Sequence, residues 1–232
     1  ICTELNKGIV DFVCLNFANP DMVGHTGDYN AIIKALETAG LNENTLVFFS
    51  SDNGPWHSAS TEFSGSAGPF TGSKQEVYEG GVRVPTVFWW PGKVAPRVTS
   101  ELGSVLDLYA TIATITGIDA STAVDGFDLT DSLFTGGASP RKEVALYRKG
   151  ELRAYRKGDY KLHLYDRTQG GSPLETPELY NLKRDVAEQE NIAAAHPEIV
   201  EDLLRAVEMH HATMTRKPPL FDQRFLNSLR TE

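Results

Sequence analysis

With 31 acidic side chains against 22 basic ones over 232 residues, the chain carries a formal charge of −9 at pH 7. That balance, with no lysine or arginine stripe to offset it, excludes a nucleic-acid backbone binder. It leaves room for a small anionic substrate, because a local metal or lysine outweighs distant surface carboxylates. At 41% hydrophobic and 23% charged residues, the composition is that of an ordinary globular protein with a core large enough to hold a catalytic site.

Cys2 and Cys14 do not make a disulfide framework, and Cys14 sits in an apolar run that reads as a buried thiol. No apolar stretch reaches the length of a transmembrane helix, so no membrane partner is expected. The polar start Ile1-Cys2-Thr3-Glu4 has neither an initiator methionine nor a signal peptide, and reads as a mid-domain beginning.

Residues 9–18, IVDFVCLNFA, read as a buried parallel strand. Asp28 then caps a helix from Tyr29 to about Ala39, with Gly40 as its terminator. Residues 45–50, TLVFFS, read as a second buried strand that ends at Asp52-Asn53-Gly54-Pro55. Strand, helix, strand is a βαβ unit, and both motifs described below follow strand ends, where open α/β sheets place ligands.

Residues 56–72 have no period and form a long loop, expected to shape specificity. Residues 82–90 hold a strand that either lies near an edge or starts after Pro85. Glu79-Gly80-Gly81 permits close backbone approach, and Arg83 is placed to pair with Glu79 or a core carboxylate. Leu102, Val105, Leu106, Tyr109, Ile112 and Ile115 form a helical stripe closed by Gly117.

After Gly126 the pattern becomes a meander. Strands over 143–148, 152–156 and 160–165 are joined at Lys149-Gly150 and Lys157-Gly158-Asp159. Pro197 opens an amphipathic helix with Ile199, Val200, Leu203, Leu204 and Val207 on its buried face, and the segment after Met214 reads as a surface arm. His163, His196, His210 and His211 read as satisfied or solvated side chains. The expected division is an α/β domain over 1–138 and a small antiparallel subdomain with a C-terminal helix over 139–232.

Two constellations carry chemistry. In Asn19-Pro20-Asp21-Met22-Val23-Gly24-His25-Thr26-Gly27, a carboxylate and an imidazole four residues apart can face one divalent ion. On spacing alone, a capping aspartate beside a surface histidine is the favoured reading. The longer string DFVCLNFANPDMVGHTG resembles the metal-binding segment of cofactor-independent phosphoglycerate mutase over about residues 11–30, which implies that Asp21 and His25 bind manganese.

The second constellation is GLNENTLVFFSSDNGP, then Gly72-Ser73-Lys74, then YEGGVRVP, WWPGKV, VLDLYATIATITG, VDGFDLTDSL and ELYNLKRDVAEQENIAAAHPEIVEDL. In order and spacing it resembles the arylsulfatase family over about 41–214. The resemblance implies an alkaline-phosphatase-like α/β fold with a mostly parallel sheet and a small C-terminal antiparallel sheet packed by a helix. It implies that Asp52 and Asn53 bind calcium, with Mn2+ or Mg2+ as alternatives. Lys74 is implied to contact the sulfate ester and assist the leaving oxygen. Hard oxygen donors suit calcium, and a fixed cation suits charge on a transferring group. Alone, Asp52-Asn53-Gly54 reads as a turn and Lys74 as a solvated side chain.

Both families belong to the alkaline-phosphatase superfamily. A cation at Lys74 would repel a second divalent ion, so Asp21 and His25 are expected to hold no second metal, with His25 free to act as a substrate contact or acid. Asp21 remains a metal-ligand candidate on the mutase resemblance, and His57 is a candidate substrate contact at the pocket rim.

Neither cysteine begins the Cys-X-Pro-X-Arg nucleophile segment that the sulfatase resemblance implies. A short helix before Leu41 coincides with the change of resemblance, which reads as a junction near Leu36 to Leu41 in a chimera, an internally deleted sequence or a mis-assembled one, and the nucleophile-bearing N-terminal half is expected to be missing. The expected function is sulfate-ester hydrolysis on a small-molecule ester. Mutase-type phosphate transfer and a non-catalytic fragment with a degenerate anion pocket are the alternatives. The first implies a periplasmic or secreted location, the second a cytoplasmic one.

Overall fold

A computed structural model describes residues 34, 36–38, 40–56, 65–119, 124–167 and 171–214. The expected strand over 9–18, the Asp28 cap and the arm beyond Met214 lie outside the described residues. Lys34 and Leu36, Glu37 and Thr38 are helical, Leu36 is buried, and Gly40 takes φ +68°. The N–H of Leu41 returns to the carbonyl of Leu36 over 2.9 Å, a left-handed glycine stop at the position the sequence marks.

Strand β1 (Val47–Ser50) pairs antiparallel with β2 (Thr86–Trp89), Val47 opposite Trp89 and Ser50 opposite Thr86. Among the described residues no parallel pairing is seen. β1 is also less enclosed than its composition predicts, since Phe48 is exposed. β2 starts directly after Pro85, because a proline cannot donate to the ladder. Residues 79–82, expected in part as strand, instead make one helical turn, α1 (Glu79–Val82), that buries Glu79, Gly80 and Gly81.

Helix α2 (Asp107–Thr116) ends at Gly117, φ +70°. Its apolar stripe does not face a core among the described residues: Val105, Leu106, Tyr109 and Ile112 are exposed, while Asp107, Thr111 and Ala113 are buried. Asp107 is drawn inward by Arg141, whose Nε and Nη2 donate to its carboxylate at 2.6–3.0 Å. A short helix α3 (Thr130–Phe134) follows.

The C-terminal part is a four-stranded antiparallel meander in the order β3 (Glu143–Arg148), β4 (Glu151–Lys157), β5 (Tyr160–Tyr165), β6 (Pro173–Asn181). The β3–β4 hairpin turns through Lys149 and Gly150, both at positive φ, and the β4–β5 hairpin uses Gly158 at φ +58°. Helix α4 (Pro197–Thr213) lays Leu203, Ala206 and Val207 on Leu152, Tyr155, Leu162 and Leu179. Each fully buried leucine there contributes about 1.5–3 kcal/mol, so this layer is the best-consolidated core in the described residues.

Candidate functional site

Asp52-Asn53-Gly54-Pro55 leaves the end of β1 as a bend. Ser51 Oγ donates to the Asn53 carbonyl over 2.9 Å and tightens it. Gly54 donates its N–H to the Gly81 carbonyl over 2.9 Å. A Cβ built at Gly54 would lie 1.8 Å from the Gly80 carbonyl oxygen, so the turn rests directly on α1 and only glycine fits.

The segment 71–83 supplies the second wall. The Lys74 N–H donates to the Pro55 carbonyl over 2.8 Å, which ties the lysine to the end of the same turn. Gly72 at φ +95° and Gln75 at φ +76° bend the chain on either side of it. The Glu76 carboxylate accepts from the N–H of Ser73 at 2.7 Å and from its hydroxyl at 3.2 Å, closing the loop on itself. Gly80 N–H returns to the Thr71 carbonyl at 2.7 Å.

Asp52 is exposed, whereas Asn53 Oδ1 is buried with no hydrogen-bond partner. A buried amide oxygen left unpaired costs about 1–3 kcal/mol. It is the donor type that a hard divalent cation takes up, so Asp52 and Asn53 fit a metal ion by their chemistry. Among the described residues no group of three His, Cys, Asp or Glu side chains is arranged to hold a metal. The structure thus brings Asp52, Asn53 and Lys74 into one turn-and-loop unit. Asp21, His25 and His57 lie outside the described residues.

Sequence reasoning did not find the polar cluster beneath this unit. Glu79, at the start of α1, is buried and meets Lys161 Nζ at 3.0 Å, Arg156 Nη1 at 3.4 Å and Arg83 Nη1 at 3.6 Å. The Arg83 contact is the one expected from the sequence. Glu188 Oε2 accepts the backbone N–H of Glu79 at 2.6 Å, and its Oε1 lies 3.0 Å from Lys161 Nζ and 2.7 Å from His163 Nε2.

Burial raises the Glu188 carboxyl, but the bond to His163 and the charge of Lys161 outweigh it and hold the group below its ordinary range. Burial lowers His163 despite the Glu188 contact. The pair is therefore a carboxylate accepting from a neutral imidazole Nε2–H, which leaves Nδ1 as the buried orphan acceptor. Tyr78 packs on this ring with centroids 4.2 Å apart, and its hydroxyl is pushed up to about 12 by burial and then by Glu178 and Glu188. The one sequence signal for Glu188 is its place in the string 178–203 quoted above.

The family model described as Sulfatase matches residues 30–118, that of the C-terminal region of aryl-sulfatase matches 139–230, and that of the Metalloenzyme superfamily matches 1–42. The arylsulfatase of Hemicentrotus pulcherrimus is 34% identical over 224 residues, covering 82% of this chain and 40% of that protein. Arylsulfatase A of Homo sapiens is 37% identical over 199 residues, covering 74% of this chain and 39% of that protein. Among solved structures, the PsFucS1 sulfatase from Pseudoalteromonas sp. superposes with a TM-score of 0.72 at 28% identity, over 80% of this chain and 40% of that one. The chain thus spans about 40% of the length of the relatives it matches. The architecture is that of the alkaline-phosphatase-like α/β enzymes with a small C-terminal antiparallel sheet, and these families imply a metal cofactor.

Proposed function

The chain belongs to the sulfatase family, and from that premise we propose that its turn-and-loop unit serves the hydrolysis of a small-molecule sulfate ester. The observation that supports this most directly is the bond from the Lys74 N–H to the Pro55 carbonyl, which ties the main chain of the lysine loop to the turn that carries Asp52 and Asn53.

Asp52 and Asn53 would hold a divalent cation, and calcium suits an acidic and an amide oxygen with no imidazole between them; Mn2+ and Mg2+ are the alternatives. Such an ion, when bound, supplies positive charge toward the sulfate oxygens. Lys74 supplies a second positive charge from the loop side and a proton-bearing nitrogen for the ester oxygen as the alcohol departs. His25 is proposed as a further acid, His57 as a substrate contact and Asp21 as an additional ligand. The nucleophile of the proposed reaction is not one of this chain's two cysteines, since neither begins Cys-X-Pro-X-Arg. A periplasmic or secreted location accompanies this reading.

The test is turnover of 4-nitrophenyl sulfate by protein expressed from its natural coding sequence, with 4-nitrophenyl phosphate as the competitor. Lys74→Ala is expected to lower kcat/KM for the sulfate ester by about 100-fold, and chelation to abolish turnover. Preferential turnover of the phosphate ester, or a Lys74→Ala variant as active as the parent, overturns the reading.

A further inference from the structure

The turn that carries Asp52 and Asn53 is held from the far side of the molecule. Gly54 hangs from the Gly81 carbonyl, Gly80 and Gly81 belong to α1, and the first residue of α1, Glu79, is fixed at both ends of its structure. Its backbone N–H goes to Glu188 Oε2 at 2.6 Å, and its carboxylate goes to Lys161 Nζ at 3.0 Å. Lys161 lies on β5 and is fully buried, and Glu188 follows β6 by seven residues in a left-handed backbone conformation, φ +54°.

Burying two carboxylates and a lysine is a poor way to stabilise a fold, because desolvation of the ions offsets their attraction. What such a cluster does well is fix geometry. A charge-assisted bond of 2.6 Å tolerates little displacement, and each charge here has its partners in fixed places. Between Glu188 and the metal-ligand turn there are two hydrogen bonds and the first three residues of α1, two of them glycine. The turn is seated by its own bonds, Gly81 N–H to the Tyr78 carbonyl at 2.8 Å and Arg83 N–H to the Glu79 carbonyl at 2.7 Å, so a shift of its first residue is passed on to Gly81.

We propose that Glu188 and Lys161 are positioning residues for the site: they clamp Glu79, and through α1 they set the placement of the Asp52-Asn53 turn and of Lys74. The inference rests on the proposed sulfatase site for its consequence in catalysis, but the mechanical link stands on the hydrogen bonds alone.

Amide hydrogen exchange separates the two. In Glu188→Ala the clamp on the Glu79 N–H is gone; loss of a bond to a charged group corresponds to about a 10- to 100-fold faster opening. The amides of Gly54 and Lys74 are expected to exchange faster by that factor, while those of Leu203, Ala206 and Val207 in α4 keep their protection. Glu188→Gln retains an oxygen acceptor for the same N–H and is expected to restore most of the protection. A merely structural role predicts uniform loss across both regions, or none at Gly54 and Lys74, and either result overturns the clamp. Should Glu188→Ala fail to fold, Lys161→Met is the second variant, with the same readout. Calcium titration of the parent and Glu188→Gln is read in parallel. A parent that binds no calcium sinks the proposed metal site and leaves the clamp to be decided by exchange. A parent that binds, beside a Glu188→Ala variant with unchanged exchange at Gly54, sinks the clamp and leaves the site standing.

Discussion

The backbone N–H of Lys74 donates to the carbonyl oxygen of Pro55 over 2.8 Å. One hydrogen bond therefore joins a lysine-bearing loop to a turn that carries a carboxylate and an amide oxygen. The lysine's place depends on the main chain of the turn, and the turn in turn rests on glycine carbonyls. The main chains that carry the cation and the oxygen donors are thereby joined.

Gly54 is the hinge pin of that unit. A methyl group there meets the Gly80 carbonyl oxygen at 1.8 Å and its carbon at 2.8 Å, both main-chain atoms that cannot rotate aside. Gly54→Ala is expected to cost roughly 3 kcal/mol of stability or to displace the turn. Urea denaturation checks the first outcome. If the fold survives by displacing the turn, calcium titration is expected to show affinity lowered at least tenfold. A variant equal to the parent in both measurements would show that the turn does not sit on α1.

Asn53 offers a cleaner separation of stability from binding. Its Oδ1 is buried without a partner, so replacing it by an apolar side chain of similar size removes a desolvation cost. In chelator, Asn53→Leu is expected to match the parent or exceed it by about 1 kcal/mol. With calcium added, the parent is expected to gain thermal stability by mass action and the variant to gain none. Equal calcium-induced shifts of Tm in the two proteins would remove Asn53 from the proposed ligand set.

Some of this was written locally in the sequence and some was not. The β3–β4 and β4–β5 hairpins were legible because Lys149-Gly150 and Gly158 supply the positive φ that tight turns need. Strand β6 was hidden by Pro173 and Pro177, which demote a run to non-strand unless it lies at a sheet edge, as this one does. The stripe and its Gly117 stop were legible in α2, but the burial of Asp107 was not, because it is anchored by an arginine 34 residues away, which no local pattern encodes. The pairing of Glu79 with Glu188 spans 109 residues and is invisible for the same reason. Asp52, Asn53 and Lys74 stood out only through a resemblance spread over most of the chain, since each alone is an ordinary turn or surface residue.

The His163–Glu188 pair predicts how stability depends on pH. An unfolded histidine takes up its proton near pH 6.5, whereas burial keeps His163 neutral to lower pH. Below about pH 6.5 the unfolded chain therefore holds a proton here that the folded one does not, and this one group lowers stability by at most about 1.4 kcal/mol for each unit that the pH falls; His210, also lowered by burial, adds to the same limb. Glu188 is depressed when folded, so its contribution is present above about pH 4.3 and is lost as pH falls further, through its folded pKa. His163→Gln is expected to flatten the upper part of this curve, between about pH 6.5 and 5, and to leave the acid limb. Denaturation midpoints taken across that range check it; parallel curves for parent and variant would mean that His163 does not carry the upper limb.

Asp107 and Arg141 give the second buried ion pair, and here both partners are enclosed and bonded twice. Burial pushes the Asp107 carboxyl up, but Arg141 and the N–H groups of Phe127 and Ser104 hold it below its ordinary range. Arg141 also lies over the Phe127 ring, 4.8 Å from its centroid, and donates to the Asp125 carbonyl at 3.0 Å. The pair thus ties α2, the Asp125–Phe127 segment and the entry to β3 together. Arg141→Met leaves a carboxylate buried with two backbone donors and no counter-charge, at an expected cost of about 3–5 kcal/mol. Removing both charges, in Asp107→Leu with Arg141→Met, is expected to cost less than Arg141→Met alone, because no orphaned ion remains. Urea denaturation of the parent, the two single variants and the double variant measures the coupling. A double variant as unstable as the sum of the singles would show that the two side chains do not act as a pair.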